Sequence, residues 1–284
     1  MENRTRYVLS VDVEDYFQVE AFARHVSRDD WDGWPSRVVA NTRKSLDLCD
    51  ECGVKGTYFT LGWVAAKFPA LVREIHDRGH ELACHSFWHR TVFSLTPQTF
   101  REDLRQSRDV IEQSAGVRIS GYRAPSWSIT AKSMWALDIL AEEGFTYDSS
   151  IFPIHHDVYG VPGAKRTPYR IDTASGSLME FPPATVRMAG TNMPAAGGGY
   201  LRLLPFPYTR WAIRKIAAEP GSVVVVYFHP WELDPEQPRI SAGAKSRLRH
   251  YTNLGEMKTR LRRLMQTYRF EPFRQLVGEA VGAG

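Results

Sequence analysis

The chain has 284 residues, with 36 Lys and Arg against 32 Asp and Glu for a formal net charge of +4, and it is 43% hydrophobic and 24% charged. That composition suits a globular protein with a substantial core and excludes disordered, collagen-like and coiled-coil chains. The longest apolar run, Val223–Phe228, is six residues, far short of the roughly 20 needed to span a bilayer. Asp12 interrupts the first apolar stretch before a secretory core forms, so the chain is expected to be cytoplasmic. Charge is unevenly spread: between residues 239 and 274 ten Lys or Arg stand against two Glu, a net of +8 that leaves −4 for the rest. Three cysteines, an odd number, argue against a disulfide framework.

Short strand-like runs alternate with helix-length amphipathic stretches. The pattern predicts a strand at 7–11, a helix at 37–52 stopped by Gly53, a strand at 54–60, a helix at 69–78 ending at Gly79, and a strand at 80–84. Thr96 before Pro97 predicts an N-cap with Pro at the first helical position, and the helix carries Phe100, Leu104, Val110 and Ile111 inward as far as Gly116. A strand at 119–122 and a helix capped by Thr130, running through Met134, Leu137, Ile139 and Leu140 to Gly144, follow. Residues 151–206 break the rhythm and predict a loop-rich insert with a short strand at 178–181. A helix at 207–218, a strand at Val223–Phe228 buried on both faces, and a helical stripe of Leu254, Met257, Leu261, Leu264 and Tyr268 close the chain. Repeated βα units imply a parallel sheet, open or closed into a barrel. The expected organisation is one domain over residues 1–284, with the insert at about 151–206 and a basic C-terminal helical extension at about 239–284.

Polar residues cluster at the C-terminal ends of these strands, where a parallel α/β fold places its site. Asp12, Glu14 and Asp15 close the first strand; Asp12 and Glu14, two apart, share a face of an extended segment. Three adjacent carboxylates also suit a solvated loop. His85 and His89, four apart, share one face of a helical turn as two metal ligands require, and a carboxylate from another strand completes a two-His, one-carboxylate shell suited to Zn²⁺, Fe²⁺ or Co²⁺. Arg123 before Pro125 can orient a carboxylate or form a structural ion pair. Asp148-Ser149-Ser150 reads as a turn, and His229 after the most apolar strand as a packed residue or an acid–base group. Cys49-x-x-Cys52 has zinc-like spacing but lies on a predicted helix without a second pair. Gly197 to Gly199 lacks the context of a phosphate loop and reads as a substrate-lining loop.

Taken in order, Asp12 with a second acid, His85-Ser86-x-x-His89, Arg123-x-Pro125, Asp148 and His229 resemble the five motifs of the polysaccharide deacetylases, the NodB-homology or carbohydrate esterase family 4 group. GTYFTLGWVA at 56–65 and GHELACHSFWH at 79–89 resemble that family's strands. The stretches GGGYLRLLP, YFHPWELDPEQPR and RHYTNLGEMKTRLRRL resemble the subgroup found at exosortase/PEP-CTERM exopolysaccharide loci. The resemblance spans nearly the whole chain. It implies an α/β fold, a deformed, incomplete (β/α) barrel of the NodB-homology type, that removes N-acetyl groups from N-acetylhexosamine residues of an exopolysaccharide or its lipid-linked precursor. It further implies a divalent metal, Zn²⁺ first and Co²⁺ or Fe²⁺ next, on Glu14, His85 and His89, with Asp15 as the alternative to Glu14. Asp12 would be the base, Arg123 its holder, His229 the acid and Asp148 the partner of His229. Ser126, with a backbone N–H near it for the oxyanion, and Trp127, Tyr227, Trp231 and Trp88 are expected to meet the substrate. A small-molecule cyclic amidase and a non-catalytic carbohydrate-binding relative are the competing functions. No nucleic-acid fold accompanies the basic residues, so the +8 segment is expected to be either a solvated helix face or a dock for anionic membrane or a lipid-linked sugar.

Overall fold

The computed structural model describes residues 5–157 and 159–282. In chain order its elements are β1 (Arg6–Val13), α1 (Val38–Cys52), β2 (Thr57–Thr60), α2 (Gly62–Lys67), α3 (Pro69–Asp77), β3 (Glu81–Cys84), α4 (Pro97–Ala115), β4 (Gly121–Tyr122), α5 (Trp135–Glu142) and β5 (Tyr147–Asp148). Then come β6 (Tyr169–Thr173), β7 (Gly176–Glu180), β8 (Thr185–Met188), β9 (Thr191–Pro194), α6 (Gly198–Leu203), α7 (Phe206–Ala217), β10 (Val223–Phe228), α8 (Ala244–Tyr251), α9 (Leu254–Thr267), β11 (Phe270–Glu271) and α10 (Phe273–Gly282). The main sheet runs β10-β1-β2-β3-β4-β5-β7-β6, with β11 also on β1; every pairing is parallel except β6 with β7. β10 and β6 end this order, and the gap is crossed by the backbone N–H of Ala184, which donates to Val225 O at 3.3 Å. The result is the deformed, incomplete (β/α) barrel expected from the sequence.

Register explains why the strand ends converge. Val13 pairs Thr60, Thr60 pairs Cys84, Cys84 pairs Tyr122, Tyr122 pairs Asp148 and Asp148 pairs Glu180. One residue further along three of these strands stand Glu14, His85 and Arg123. Parallel ladders keep such neighbours about 5 Å apart, so chemistry distant in sequence is delivered to one edge. Inside the curl Val8, Phe59, Ala83, Tyr147, Phe181, Val225 and Phe273 form a separate apolar cluster. Its floor is α10, whose first backbone groups are caught from below: Phe273 N donates to Thr57 Oγ1 and Arg274 N to the buried Glu81, which also receives the Tyr147 hydroxyl.

Most expected elements form within a few residues of their predicted bounds, and α4 carries the full Thr96–Thr99 capping box, with Gly116 in the left-handed conformation at its end. Three expectations change. The helix predicted from Thr130 begins at Trp135, because Ser133 Oγ takes the Thr130 N–H and donates to Ser128 O, closing a turn that leaves Met134 exposed. Residues 151–206 hold more order than predicted: β7 adds to β5 in parallel and β6 to β7 as a hairpin, while β8 and β9 form a second sheet. Residues 85–89, expected as a helical turn, form a loop with Ser86 and His89 at positive φ.

Asp148 and Glu180 face each other across β5 and β7, both wholly buried, and Asp148 Oδ2 and Glu180 Oε2 have no other partner. Burial raises the pKa of both above the ordinary carboxyl range; the charge of Asp148 raises Glu180 further while the hydrogen bond from Glu180 lowers Asp148, so the pair shares a proton. The native state therefore holds a proton that the unfolded chain gives up near pH 4. The pair's stabilisation is present below that pH and is lost as pH rises through the folded pKa values. Asp148→Asn is expected to flatten that loss: urea melts between about pH 4 and 6 should show wild type weakening relative to the variant, and parallel curves would contradict the shared proton.

Candidate active site

Glu14 leaves β1 just past its last paired residue and is 2% exposed. Its Oε1 accepts from the Trp231 indole N–H at 3.2 Å. Its Oε2 lies 2.7 Å from His89 Nε2, but not in hydrogen-bond geometry, and has no donor. His85 Nδ1 lies 2.8 Å from Arg123 O; with that nitrogen donating to the carbonyl, the tautomer leaves Nε2 a free lone pair. Ligand atoms of Glu14, His85 and His89 all lie within 4.8 Å of one another. An orphaned buried carboxylate oxygen beside two imidazoles is the arrangement a divalent cation would satisfy, so the residues fit a metal. Burial alone would raise the Glu14 pKa, but the imidazoles around it, His89 foremost, hold it down to about 2; burial pushes His85 down to about 4. Both groups are thus in their ligating protonation states at neutral pH.

Both histidines ride on a loop that Asp103 of α4 clamps. Its carboxylate accepts from Ser86 Oγ at 2.5 Å, Phe87 N at 2.7 Å and Trp88 N at 3.3 Å. Positive φ at Ser86 and His89 costs on the order of 1–3 kcal/mol each; these charge-assisted bonds offset it. Arg28 secures the far end through Trp88 O and His89 O.

Asp12, 3% exposed on β1, receives Arg123 Nη1 on Oδ1 at 2.7 Å. Arg123 is completely buried; it also donates to Ser10 Oγ, Ser149 O and Ser149 Oγ, and lies 4.1 Å over the Phe59 ring. His229 Nε2 lies 3.9 Å from Asp12 Oδ2 and 3.7 Å from Glu14 Oε1. Its Nδ1 is 3.1 Å from Glu232 Oε2, and Glu232 Oε1 accepts from the buried Arg202 Nε at 2.5 Å. Burial would lower the His229 pKa, but the Glu232 hydrogen bond and the charges of Glu14, Glu232 and Asp12 raise it to about 9. Glu232, which burial would raise, is held to about 2 by Arg202 and His229.

Asp12, Glu14, His85, His89, Arg202 and His229 wall a cavity of about 210 Å³ with Ser126, Trp127, Trp231 and Arg249 at its sides. Ser126 and Trp127 stand at successive positive φ values, a strained turn facing the cavity. Gly197 and Gly198 also take positive φ, and a Cβ on either would strike the Tyr227 ring; Gly199 reaches the cavity.

Several expectations are corrected by this geometry. Asp15 stands outside the ligand cluster: its Oδ2 receives Ser36 Oγ and the first backbone N–H groups of α1, from Arg37 and Val38, where a carboxylate balances the helix dipole. Asp148, expected beside His229, instead pairs with Glu180 and takes the Ser150 hydroxyl at 2.5 Å. Glu232 fills the role, and its i,i+3 spacing from His229 in His229-Pro230-Trp231-Glu232 was a signal available in the sequence. Tyr227 and Trp88 do not line the cavity: Tyr227 packs on Trp127 at 4.8 Å, and Trp88 lies against Trp31. Arg202 announced itself by nothing, since an arginine becomes structural only through tertiary contacts. Cys49 is buried in α1 beside the Tyr58 hydroxyl, as its structural reading required.

Residues 29–147 match the family described as Polysaccharide deacetylase, and residues 149–278 match a domain of unknown function, DUF3473. The chain is similar to the peptidoglycan deacetylase-like protein FGM2 of Gibberella zeae, 32% identical over 108 residues, covering 37% of this chain and 31% of that protein. It is also similar to the peptidoglycan-N-acetylglucosamine deacetylase of Bacillus cereus, 29% identical over 98 residues, 34% of this chain and 36% of that protein. The chain thus spans about a third of these relatives' length. A solved Mycobacterium smegmatis structure assigned to the polysaccharide deacetylases superposes with a TM-score of 0.67 at 20% identity, over 99% of this chain and 92% of that one. The allantoinase Puue superposes at 0.61 and 12% identity, over 96% and 88%. The strand order, the register and these matches define a NodB-type α/β barrel. Residues 29–147 thus carry a polysaccharide deacetylase domain of the NodB-homology, carbohydrate esterase family 4 type.

Metal analysis separates the two carboxylates. Glu14→Ala is expected to empty the site, whereas Asp15→Ala keeps the metal and loses about 2 kcal/mol of stability from the released helix terminus. Retained metal in Glu14→Ala, or loss confined to Asp15→Ala, would reverse the assignment.

Proposed function

We propose that the chain is a metal-dependent hydrolase that removes N-acetyl groups from N-acetylhexosamine residues of an exopolysaccharide or its lipid-linked precursor, acting in the cytoplasm. The observation that carries this reading is the convergence in one cavity of the Glu14, His85 and His89 ligand set, the Arg123-held Asp12, and His229 bound to Glu232. Amide hydrolysis needs a deprotonated water, stabilised charge on the acyl oxygen and a proton for a poor amine leaving group. A divalent ion on Glu14, His85 and His89, Zn²⁺ first and Co²⁺ or Fe²⁺ by the same donor chemistry, supplies Lewis acidity and a lower water pKa when bound.

The remaining work belongs to the chain. Asp12 spends Oδ1 on Arg123 and turns Oδ2 toward His229, so Oδ2 is the oxygen that takes the water proton. His229 donates from Nε2 to the departing amine, because Glu232 occupies Nδ1 and fixes the ring. The backbone N–H of Ser126 is assigned to the acyl oxygen, and Trp127 and Trp231 offer apolar walls to a sugar ring. At about 210 Å³ the cavity is smaller than the roughly 300–1,000 Å³ of typical ligand sites. It takes the N-acetyl group and one ring, with the rest of the saccharide outside. The exopolysaccharide substrate is supported by the resemblance of the GGGYLRLLP stretch, which here provides Gly199 and Arg202.

Purified protein loaded with Zn²⁺, Co²⁺ or Fe²⁺ is expected to release acetate from N-acetylglucosamine oligomers or a lipid-linked N-acetyl sugar, and chelation should abolish it. Asp12→Asn is expected to lower kcat by about 10²-fold or more, the contribution of a general base. Hydrolysis of allantoin without acetate release from any N-acetyl sugar would overturn the reading. Glu232→Gln should lower kcat at least about tenfold at unchanged metal content, while Asp148→Asn leaves kcat near wild type; the opposite ranking would restore Asp148 as the partner of His229.

A further inference from the structure

Away from the catalytic edge, α7 and α9 flank a groove of about 660 Å³. Phe206, Pro207, Arg210, Trp211 and Arg214 lie on one side of α7, at the three- and four-residue spacing that places side chains on one helix face. Arg263 and Leu264 of α9 face them, with the Arg263 guanidinium 6.0 Å from the Phe206 ring. No acidic residue lines the groove, and Arg210, Arg214 and Arg263 have no carboxylate partner among the described residues. Much of the basic C-terminal stretch is otherwise engaged: Arg260 donates to three carbonyls of 201–204, Arg262 pairs with Glu51, Lys245 with Asp157, and Arg239 lies over Tyr251. The groove keeps free positive charge beside apolar surface. Trp211 is 39% exposed and Leu203, just before α7, is 38% exposed. An exposed tryptophan set among unpaired guanidinium groups has an apolar body and a cationic rim, the composition of a membrane-interface anchor.

We infer that the α7–α9 groove docks the protein on anionic phospholipid, with Arg210, Arg214 and Arg263 on phosphate groups and Trp211 at the acyl boundary. The charge argues for an anionic partner, and the exposed aromatic argues for a lipid surface over a free phosphate, which would gain nothing from an indole. No helix among the described residues is long and apolar enough to cross a membrane. The inference is independent of the deacetylase reading, since no groove residue belongs to the catalytic cavity.

The test is co-sedimentation of the full chain with phosphatidylcholine vesicles, with and without phosphatidylglycerol, at low and physiological salt. Wild type should bind the anionic vesicles alone, and Arg210→Gln/Arg214→Gln/Arg263→Gln should weaken binding by about tenfold or more. Arg24→Gln/Arg73→Gln/Arg118→Gln, an equal charge change at exposed arginines elsewhere, should bind like wild type. Vesicles should blue-shift tryptophan emission, with inorganic phosphate ineffective and the shift lost in Trp211→Phe. Equal weakening of both triple variants would reduce the effect to net charge. A response to inorganic phosphate alone would make the groove a free-anion site, and absence of vesicle binding would overturn docking altogether.

Discussion

A guanidinium cannot be left alone in a protein interior: its desolvation costs several kcal/mol and must be met by charge and hydrogen bonds. The two largest fully buried side chains here are both arginines, Arg123 and Arg202, and each is tied to a carboxylate of the site. Arg123 joins β1 to the ends of β4 and β5 through Asp12, Ser10 and Ser149, so Asp12 is held in place by a group that cannot leave without stranding a charge. Arg202 does the same on the other side, anchoring Glu232 while gripping the carbonyls of Arg249 and Thr252. Asp12 and Glu232 are thus held in place by two buried ion pairs.

The two arginines also divide the labour between the two matched regions. Residues 29–147 supply His85, His89 and Arg123; residues 149–278 supply His229, Glu232 and Arg202; Asp12 and Glu14 precede both. The second region therefore supplies six of the sixteen residues that line the cavity. His229 stacks on Trp231 at 5.1 Å, Trp231 stacks on His250 at 4.0 Å, and the Trp231 indole reaches Glu14, so its aromatic column braces the proposed metal ligand as well as the proposed acid.

Strands, helices and the line of polar residues along one sheet edge were legible because periodicity and capping are local properties. Thr96 and Gly116 delimit α4 by side-chain and backbone chemistry that needs no neighbour. What could not be read depends on the third dimension. Asp12, Glu14 and Asp15 look alike in sequence, and only the position of α1 shows that Asp15 is consumed by a helix terminus. Asp148 and Glu232 are both carboxylates near a motif, and strand register sends Asp148 to Glu180 while a single turn brings Glu232 to His229. The 85–89 loop has helical spacing but is bent by Asp103, 14 residues beyond His89, into a conformation that spacing alone does not show.

The central claim is that Glu14, His85 and His89 form one cation site beside an Arg123-bound Asp12. Anomalous diffraction from crystals of the protein loaded with Co²⁺ tests it most directly. One peak is predicted at about 2.0–2.2 Å from an oxygen of Glu14 and a nitrogen of each histidine, with Asp15 still on the α1 terminus. A peak on Asp15, or none between the two histidines, would contradict the account.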